Sequence, residues 1–233
     1  MSMIRFLPLL IALIVGYATW RLSAWQTAKT LDRQSEPLRD PTLAPLLERM
    51  AQALGVKRIA VNMYRIAPVN GLAAPDGRIF LTQGFVDRYR AGEVTAEELA
   101  SVIAHELGHV ALGHARRRMI DFSGQNAMRM ALGMVLSRIL PGGGMWLANM
   151  ATRLLAATLS RKDEYEADAY ASALLTKAGI GTAPQKSLFR KLEALTGGPG
   201  GGPVPAWLMS HPHTRDRIRA IEAMEDRWAK VTG

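Results

Sequence analysis

The sequence predicts a mainly α-helical fold with a small β-sheet, the α+β class, behind one N-terminal apolar segment. Two short segments between residues 58 and 82 have the pattern of β-strands, whereas helical periodicity dominates from residue 95 onward. The chain has 233 residues, of which 48% are hydrophobic, so one domain with its own core is expected. Charged residues make up 21%, the usual share of a folded protein, which argues against wholesale disorder.

The N-terminus carries an uncharged apolar run over residues 6–20, between Arg5 and Arg21. As a helix this run spans about 22 Å, short of a hydrocarbon core of about 30 Å, and the two arginines can reach toward the interfaces to make up the difference. We favour an uncleaved membrane anchor. A cleaved signal peptide is the alternative, because residues 16–18 have the small-x-small form of a cleavage site. Residues 1–25 are therefore predicted to direct the chain to a membrane, as an anchor or a signal segment.

Residues 26–42 are polar with two prolines, and they predict a juxtamembrane linker to a domain over residues 43–233. At the start of that domain apolar residues recur at helical spacing, and Gly55 follows as a helix-ending residue. The apolar positions of this first helix are Leu43, Leu46, Leu47, Met50 and Leu54.

Residues 58–66 and 78–82 alternate like strands on either side of a turn rich in Pro, Asn and Gly. They predict a small antiparallel pair. Thr95 and Glu98 then have the form of a capping box, which marks the beginning of a helix.

The rest of the chain is predicted to be helical. The glycine- and proline-rich segment 197–205 interrupts it and predicts a mobile loop. The hydrophobic stretches from 127 to 160 carry arginines and favour packed helices, with a membrane hairpin as the alternative. The helices expected after the first capped one cover residues 121–138, 143–160, 161–178, 183–195 and 213–230.

Charge and cysteine content narrow the function classes. There are no cysteines, which excludes disulfides, iron–sulfur clusters, thiolate zinc sites and a cysteine nucleophile. The net charge of +9 and the pI near 10.2 make a nucleic-acid partner the first hypothesis. However, the basic residues are scattered and no nucleic-acid motif is present, so we expect no nucleic-acid partner. The charge is compatible with an anionic membrane surface.

The segment VIAHELGHVALGH, residues 102–114, contains the residue pattern that indicates a metal-dependent catalytic site. His105 and His109 are four residues apart, so both rings lie on one helix face, as two ligands of a tetrahedral zinc require. Glu106 lies beside them, where its carboxylate can take a proton from a water that zinc polarises. The alternative is a surface helix that happens to carry histidines. His114 is rejected as the third ligand, because nine residues of helix place it about 180° from His105.

A second acidic segment follows at residues 160–168. Glu164 and Asp168 share a helix face, whereas Glu166 points about 200° away from Glu164. One of the two carboxylates on the shared face can bind zinc while the other orients a ligand. Read alone, this segment is more typical of a solvated acidic face.

The chain resembles the HtpX-like and CAAX-prenyl-endopeptidase family of membrane-associated zinc metalloendopeptidases, over about residues 43 to 230. Gly71 is a mild departure, since the family more often has Ala at that place. Four segments in the same order carry the resemblance: NGLAAPDGRIFLT at 70–82, AHELGH at 104–109 followed by His114, SRKDEYEAD at 160–168, and SHPHTRDRI at 210–218.

The resemblance implies a zincin-type metallopeptidase domain over 43–233 with one Zn²⁺ per chain. It places the third zinc ligand on Glu164, beside His105 and His109, and the acid that orients a ligand on Asp168. It implies proteolysis of unfolded or membrane-associated polypeptides in protein quality control. Family members with several membrane spans differ from this chain, which has one clear apolar segment, so prenyl-protein processing is disfavoured.

Substrate is expected to bind through Asn70 and along the open edge of strand 78–82, which contains Ile79, Phe80 and Leu81, by strand addition. His211 is predicted to donate to the oxyanion of the tetrahedral intermediate, with Arg217 anchoring its segment through an acidic partner. The alternative for His211 is a structural cap at the entry of the last helix. The alternative function is a membrane-anchored zinc-containing chaperone with latent or no proteolysis. Arg5 before the apolar segment favours an extracytoplasmic (periplasmic) catalytic domain, attached to the membrane by a single span, whereas Arg21, Lys29 and Arg33 after the segment favour the opposite orientation.

Overall fold

The computed structural model describes residues 28–74, 76–114, 143–197 and 214–232, together with residues 14, 17, 18, 21, 22, 25, 26, 138, 207, 209 and 211. Within these ranges the chain is mainly helical with a small four-stranded sheet, as predicted. The elements in chain order are β1 (Ser35–Pro37), α1 (Ala44–Leu54), β2 (Val61–Tyr64), β3 (Gly71–Ala73), β4 (Ile79–Thr82), α2 (Gln83–Arg90), α3 (Ala96–Ala111), α4 (Gly144–Lys177), α5 (Ala183–Gly197) and α6 (Thr214–Thr232).

Helix α1 forms where the apolar spacing predicted it. Leu46 and Met50 are buried, and Gly55 ends the helix in the left-handed conformation with φ of 69°. A residue with a Cβ is strained at such a φ, which explains why glycine occupies the position.

The sheet has the order β1-β2-β4-β3. Strand β2 pairs with β4 in parallel, so the predicted antiparallel pairing of 58–66 with 78–82 is wrong. The antiparallel partner of β4 is β3, which lies inside the segment interpreted as a turn. Strand β1 pairs antiparallel with β2 and lies inside the segment interpreted as a linker. Both added strands are only three residues long, too short to give an alternating pattern.

The expectation of an open edge on strand 78–82 is also wrong. Strand β4 has β2 on one side and β3 on the other, and all four of its residues are buried. Ile79, Phe80 and Leu81 are 1%, 0% and 0% exposed, so their side chains belong to the core and do not line a substrate groove. Both backbone edges of β4 are paired, and its side chains are buried by packing on the faces of the sheet: Ile79 and Leu81 lie in the main core, and Phe80 packs in a second cluster with Leu31 and Ala74.

Helix α3 runs through the centre of the domain. The predicted capping box is confirmed: the Glu98 N–H donates to the Thr95 hydroxyl, and the Thr95 N–H donates to the Glu98 carboxylate at 2.8 Å. Twelve of its sixteen residues are buried, so the helix packs on nearly all sides. Polar side chains on this helix are therefore removed from water and need partners inside the protein.

Helix α4 is one continuous helix of 34 residues, so the prediction of separate helices over 143–160 and 161–178 is wrong. No Pro or Gly interrupts the sequence between residues 145 and 177, and backbone hydrogen bonding continues through Ser160. Helices α5 and α6 lie where they were predicted. The predicted helix 121–138, apart from its last residue, and the predicted loop 197–205, apart from its first, lie outside the described residues.

The predicted apolar segment 6–20 lies outside the described residues except at 14, 17 and 18. Among the helices that the structure describes, none combines the length and apolar character required to cross a membrane.

Glycine 108 allows α3 and α4 to cross closely. A Cβ built on Gly108 lies 3.0 Å from the backbone Cα and carbonyl oxygen of Ala167, closer than ordinary van der Waals contact. Since the atoms it meets belong to the backbone of a helix, they cannot move without shifting that helix. The crossing therefore brings residues 105–109 next to residues 164–168.

We predict that Gly108→Ala destabilises the protein by about 1–3 kcal/mol, because the added methyl overpacks the crossing of the two helices. It should also weaken binding of the zinc predicted from the sequence, because the two helices that carry His105 and Glu164 are moved apart. Gly55→Ala is the comparator: its cost of about 1 kcal/mol comes from the positive φ, a Cβ there has no neighbour within 4 Å, and zinc affinity should be unchanged. Thermal unfolding and zinc titration of both variants measure the two effects. Equal zinc affinity in Gly108→Ala and wild type would contradict the positional role of this glycine.

Candidate active site

His105 and His109 face each other one turn apart on α3. They are 1% and 8% exposed, and their Nε2 atoms lie 3.1 Å apart. Their rings are nearly perpendicular, with centroids 4.7 Å apart. The Nε2 atoms therefore point to one common position, as the spacing of the two residues in the sequence predicted.

Glu164 approaches the same position from α4. Its Oε2 lies 3.3 Å from His105 Nε2 and its Oε1 lies 3.5 Å from His109 Nε2. Burial by itself raises the pKa of Glu164, but hydrogen bonds with His105 and His211 outweigh burial and lower the pKa well below its usual range. The carboxylate is ionised and available as a ligand.

Asp168, one turn further along α4, holds His105 from the other side of its ring. Its Oδ1 lies 2.9 Å from His105 Nδ1. Arg217 of α6 donates to both oxygens of Asp168, from Nε at 2.6 Å and from Nη2 at 2.7 Å. Burial alone raises the pKa of Asp168, but the guanidinium outweighs burial and lowers it to about 2. Asp168 is therefore the acidic partner predicted for Arg217.

His211 completes the cluster from the segment before α6. Its Nδ1 lies 2.7 Å from Glu164 Oε2 and its Nε2 lies 3.5 Å from Glu106 Oε1. Arg217 Nη1 donates to the His211 carbonyl at 3.1 Å, which fixes the backbone of the segment. Arg217 thus binds both Asp168 and His211. His213, the other histidine of this segment, lies outside the described residues.

Sequence reasoning missed Trp207. The His211 N–H donates to the Trp207 carbonyl at 2.8 Å, and the two ring centroids are 5.0 Å apart. The Arg217 guanidinium lies 5.2 Å from the Trp207 ring centroid. Trp207 is 1% exposed, and its ring packs against the ring of His211. A large aromatic residue four positions before His211, next to a segment of glycine and proline, was the signal that could have identified it.

Glu106 lies beside this cluster with 2% of its surface exposed. Its Oε1 has no hydrogen-bond partner within the described part of the chain. A buried carboxylate oxygen normally has a partner, so an unsatisfied one beside a donor cluster indicates a position for water or substrate.

The donor atoms fit a metal ion. His105, His109, Glu164 and His211 each offer one ligand atom, and these atoms lie within 4.8 Å of one another. Imidazole and carboxylate are ligands that zinc accepts. The buried carboxylates of Glu106, Glu164 and Asp168 exceed the single guanidinium by two formal negative charges, which matches a divalent cation.

His114 contacts the site, contrary to the prediction that it points away from it. Its Nδ1 lies 2.7 Å from His109 Nδ1. The estimate of about 180° assumed that the helix continues to residue 114. Instead α3 ends at Ala111, and Gly113, with φ of 65°, turns the chain back toward His109. His114 is not in the four-residue donor group. Its Nε2 faces Glu166 Oε2 at 3.2 Å.

The edge strand beside the site is β3, which precedes β4 in the chain and lies at the end of the sheet. A Cβ on Gly71 would lie 2.7 Å from Val102 Cγ1 and 3.6 Å from Glu106 Oε1. Glycine at this position therefore lets the strand lie directly against the face of α3 that carries Val102 and Glu106. Asn70, just before it, has a buried Oδ1 without a hydrogen-bond partner among the described residues.

Comparison with known proteins is consistent with this geometry. Peptidase family M48 matches residues 37–225, which is most of the chain. Metalloprotease LoiP of Escherichia coli is 33% identical over 184 residues, covering 76% of this chain and 71% of the relative. Metalloprotease YcaL of the same organism is 32% identical over 183 residues, covering 74% and 68%. Protease HtpX of Pseudomonas aeruginosa is 24% identical over an alignment of 243 residues, covering 87% and 80%.

The protonation of His105 predicts how the site responds to pH. Burial by itself lowers the pKa of His105, but hydrogen bonds with Asp168 and Glu164 outweigh burial and raise it from 6.5 to about 9 in the metal-free protein. The stabilisation from the protonated ring is therefore fully present below pH 6.5 and is lost as pH rises through about 9. Zinc coordination by this imidazole would need the neutral ring, so protons would compete with zinc over the same window.

We predict that the melting temperature of the chelator-treated protein falls between pH 6.5 and 9, while its zinc affinity rises by up to about tenfold per pH unit. Thermal unfolding with chelator and zinc competition titrations at matched pH values measure both trends. Asp168→Asn removes the carboxylate that raises the pKa, so both trends should weaken in that variant. A melting temperature and affinity that do not change with pH would contradict this account.

Proposed function

This chain belongs to peptidase family M48 and is a zinc metalloendopeptidase, and from that premise we propose the role of each residue of the site. His105, His109 and Glu164 hold one Zn²⁺, Asp168 orients His105, and Glu106 is the general base. The observation that carries the proposal is the buried, unsatisfied Oε1 of Glu106 beside three converging ligand side chains.

Zinc in such a site acts as a Lewis acid that polarises water and lowers its pKa toward about 7. Glu106 Oε1 accepts the proton of the attacking water as the new bond to the substrate carbonyl carbon forms. Glu106 then gives this proton to the amide nitrogen as the carbon–nitrogen bond breaks, so the products are an amine and a carboxylic acid, which loses its remaining proton to solvent. Its burial keeps bulk water away from the reacting atoms.

His211 is proposed as the donor to the oxyanion that forms on the substrate. Its Nε2 points toward Glu106 Oε1 at 3.5 Å, so an N–H there lies beside the reacting carbonyl. Arg217 and Trp207 hold the residue in place through its backbone. A second role also fits this position: His211 belongs to the four-residue donor group, and a fourth protein ligand would close the zinc site. A closed site favours the alternative function, a zinc-containing chaperone or assembly factor with latent or no proteolysis.

Substrate binding is proposed along β3 and not along β4. The outer edge of β3 has no neighbouring strand within the described ranges, and Gly71 lies next to Glu106. A polypeptide added to this edge by backbone hydrogen bonds would place its scissile bond beside the base. The Asn70 side-chain amide, which has an unsatisfied buried atom, supplies a further hydrogen bond to the substrate backbone.

We further propose that the enzyme acts on unfolded or membrane-associated polypeptides in protein quality control. Strand addition recognises the peptide backbone more than any particular side chain, which suits unfolded substrates. Residues 1–25 would attach the catalytic domain to a membrane as a single-pass protein, on the extracytoplasmic side. The names of the relatives support proteolysis, and the proposals on membrane side and substrate rest on the N-terminal sequence and the resemblance.

We predict that Glu106→Gln abolishes hydrolysis of an unfolded protein while keeping about one zinc per chain, because the residue acts on water and not on the metal. Digestion of a denatured protein and metal analysis of the same preparation measure both properties. Glu97→Gln, an exposed residue of the same helix, is the matched control and should retain activity. Loss of zinc together with activity would move Glu106 into the ligand set and contradict the assignment.

We predict that His211→Ala lowers kcat by about 10²–10³ with zinc content unchanged, the loss typical of one oxyanion donor. His213→Ala is the control from the same segment and should have little effect. Steady-state kinetics with zinc titration separate the roles of His211. If His211→Ala weakens zinc binding, or raises activity, the residue is a fourth ligand and the oxyanion donor lies elsewhere. If it mainly lowers the melting temperature, its role is structural.

A further inference from the structure

Among the histidines that the structure describes, His114 has no part in the chemistry proposed above. It is 1% exposed and contacts Nδ1 of His109, whereas Nε2 of His109 faces the converging ligand atoms. Its Nδ1 is 2.7 Å from His109 Nδ1, and its Nε2 is 3.2 Å from Glu166 Oε2 and 3.9 Å from Asp163 Oδ1. The left-handed Gly113 brings it to this place directly after α3 ends.

The position of the proton on each imidazole ring sets the direction of the hydrogen bonds that link His109, His114 and Glu166. His109 presents Nε2 to the other ligand atoms, so that nitrogen carries the lone pair that binds a metal. The proton of the neutral His109 ring is then on Nδ1, which donates to His114 Nδ1. His114 Nδ1 must therefore accept, and its own proton is on Nε2, where it donates to Glu166.

We propose that His114 is a positioning residue, which fixes the ring orientation and the proton of His109 for zinc binding, with Glu166 and Asp163 holding His114 in turn. The inference rests on the proposed zinc ligands and deepens that assignment. Each ligand histidine then has a support on its Nδ1: Asp168 on His105, and His114 on His109. Such supports raise metal affinity because the ligand does not have to be ordered when the metal binds.

The same residues suggest a rival explanation. His114, Asp163 and Glu166 offer ligand atoms within 4.8 Å of one another, the pattern of a second metal site. The hydrogen bond from His109 argues against it. With Nδ1 accepting that bond, a neutral His114 carries its proton on Nε2, which leaves no lone pair for a metal. The proposal therefore predicts one zinc per chain.

The test compares His114→Phe with His114→Asn. Phenylalanine fills the space without accepting a hydrogen bond, whereas the asparagine side-chain oxygen can take the place of Nδ1. Zinc affinity is measured by competition with a chelating dye, and the melting temperature is measured in excess chelator. We expect His114→Phe to weaken zinc binding by about 10–100-fold, and His114→Asn to recover most of the loss. In excess chelator the two variants should have the same melting temperature, since the hydrogen bond between residue 114 and His109 serves metal binding.

Zinc affinity of His114→Phe equal to wild type would overturn the proposal, as would equal losses in His114→Phe and His114→Asn. A second metal equivalent that disappears in Asp163→Asn would also overturn it, in favour of the rival metal site. Measurements on the wild type distinguish a failure of the proposed function from a failure of the inference about His114. If it binds no zinc, or if Glu106→Gln still cleaves, the proposed function fails. If wild type behaves as proposed and only the His114 variants do not, this inference alone fails.

Discussion

The buried ion pair between Asp168 and Arg217 is the interaction on which the site depends. It joins α4 to α6, and the same carboxylate holds His105 of α3, so three helices meet at one side chain. Both charged residues are almost fully buried, at 1% and 0% exposure. Removing either partner would leave an uncompensated charge in the core, which costs several kcal/mol. The pair therefore ties the ligand geometry to the packing of the domain.

The charge balance of the core explains why such a site needs a cation. The site contains three carboxylates but one guanidinium, and hydrogen bonds with Asp168 and Glu164 raise the pKa of His105, which favours its protonated ring when no metal is bound. In the proposed site, Zn²⁺ would take the place of that proton, next to Glu164 and the histidines. Metal binding and stability would then be linked, and Glu106, which is not in the donor group, would remain available for the substrate.

Residues from several elements surround Glu106 and the two histidines of α3. Gly71 of edge strand β3 lies next to Glu106, and His211, which packs against Trp207, also approaches Glu106. On the ligand helices the two histidines are supported from outside the cluster, His105 by Asp168 and His109 by His114. In the proposed site, the residues that would hold the metal are thus distinct from the residues that orient them.

The sequence by itself determined the local parts of this protein. The 3.6-residue period identified most of the described helices, and the same period placed His105 with His109 and Glu164 with Asp168, because helix geometry fixes which residues share a face. The capping box at Thr95 is equally local. Only the tertiary structure decided what depends on distant segments: the parallel pairing of β2 with β4, the edge strand β3, the partner of Arg217, and the turn that returns His114 to His109. Strand partners and chain reversals are set by packing between segments far apart in sequence, and a periodic pattern within one segment carries no information about its neighbour.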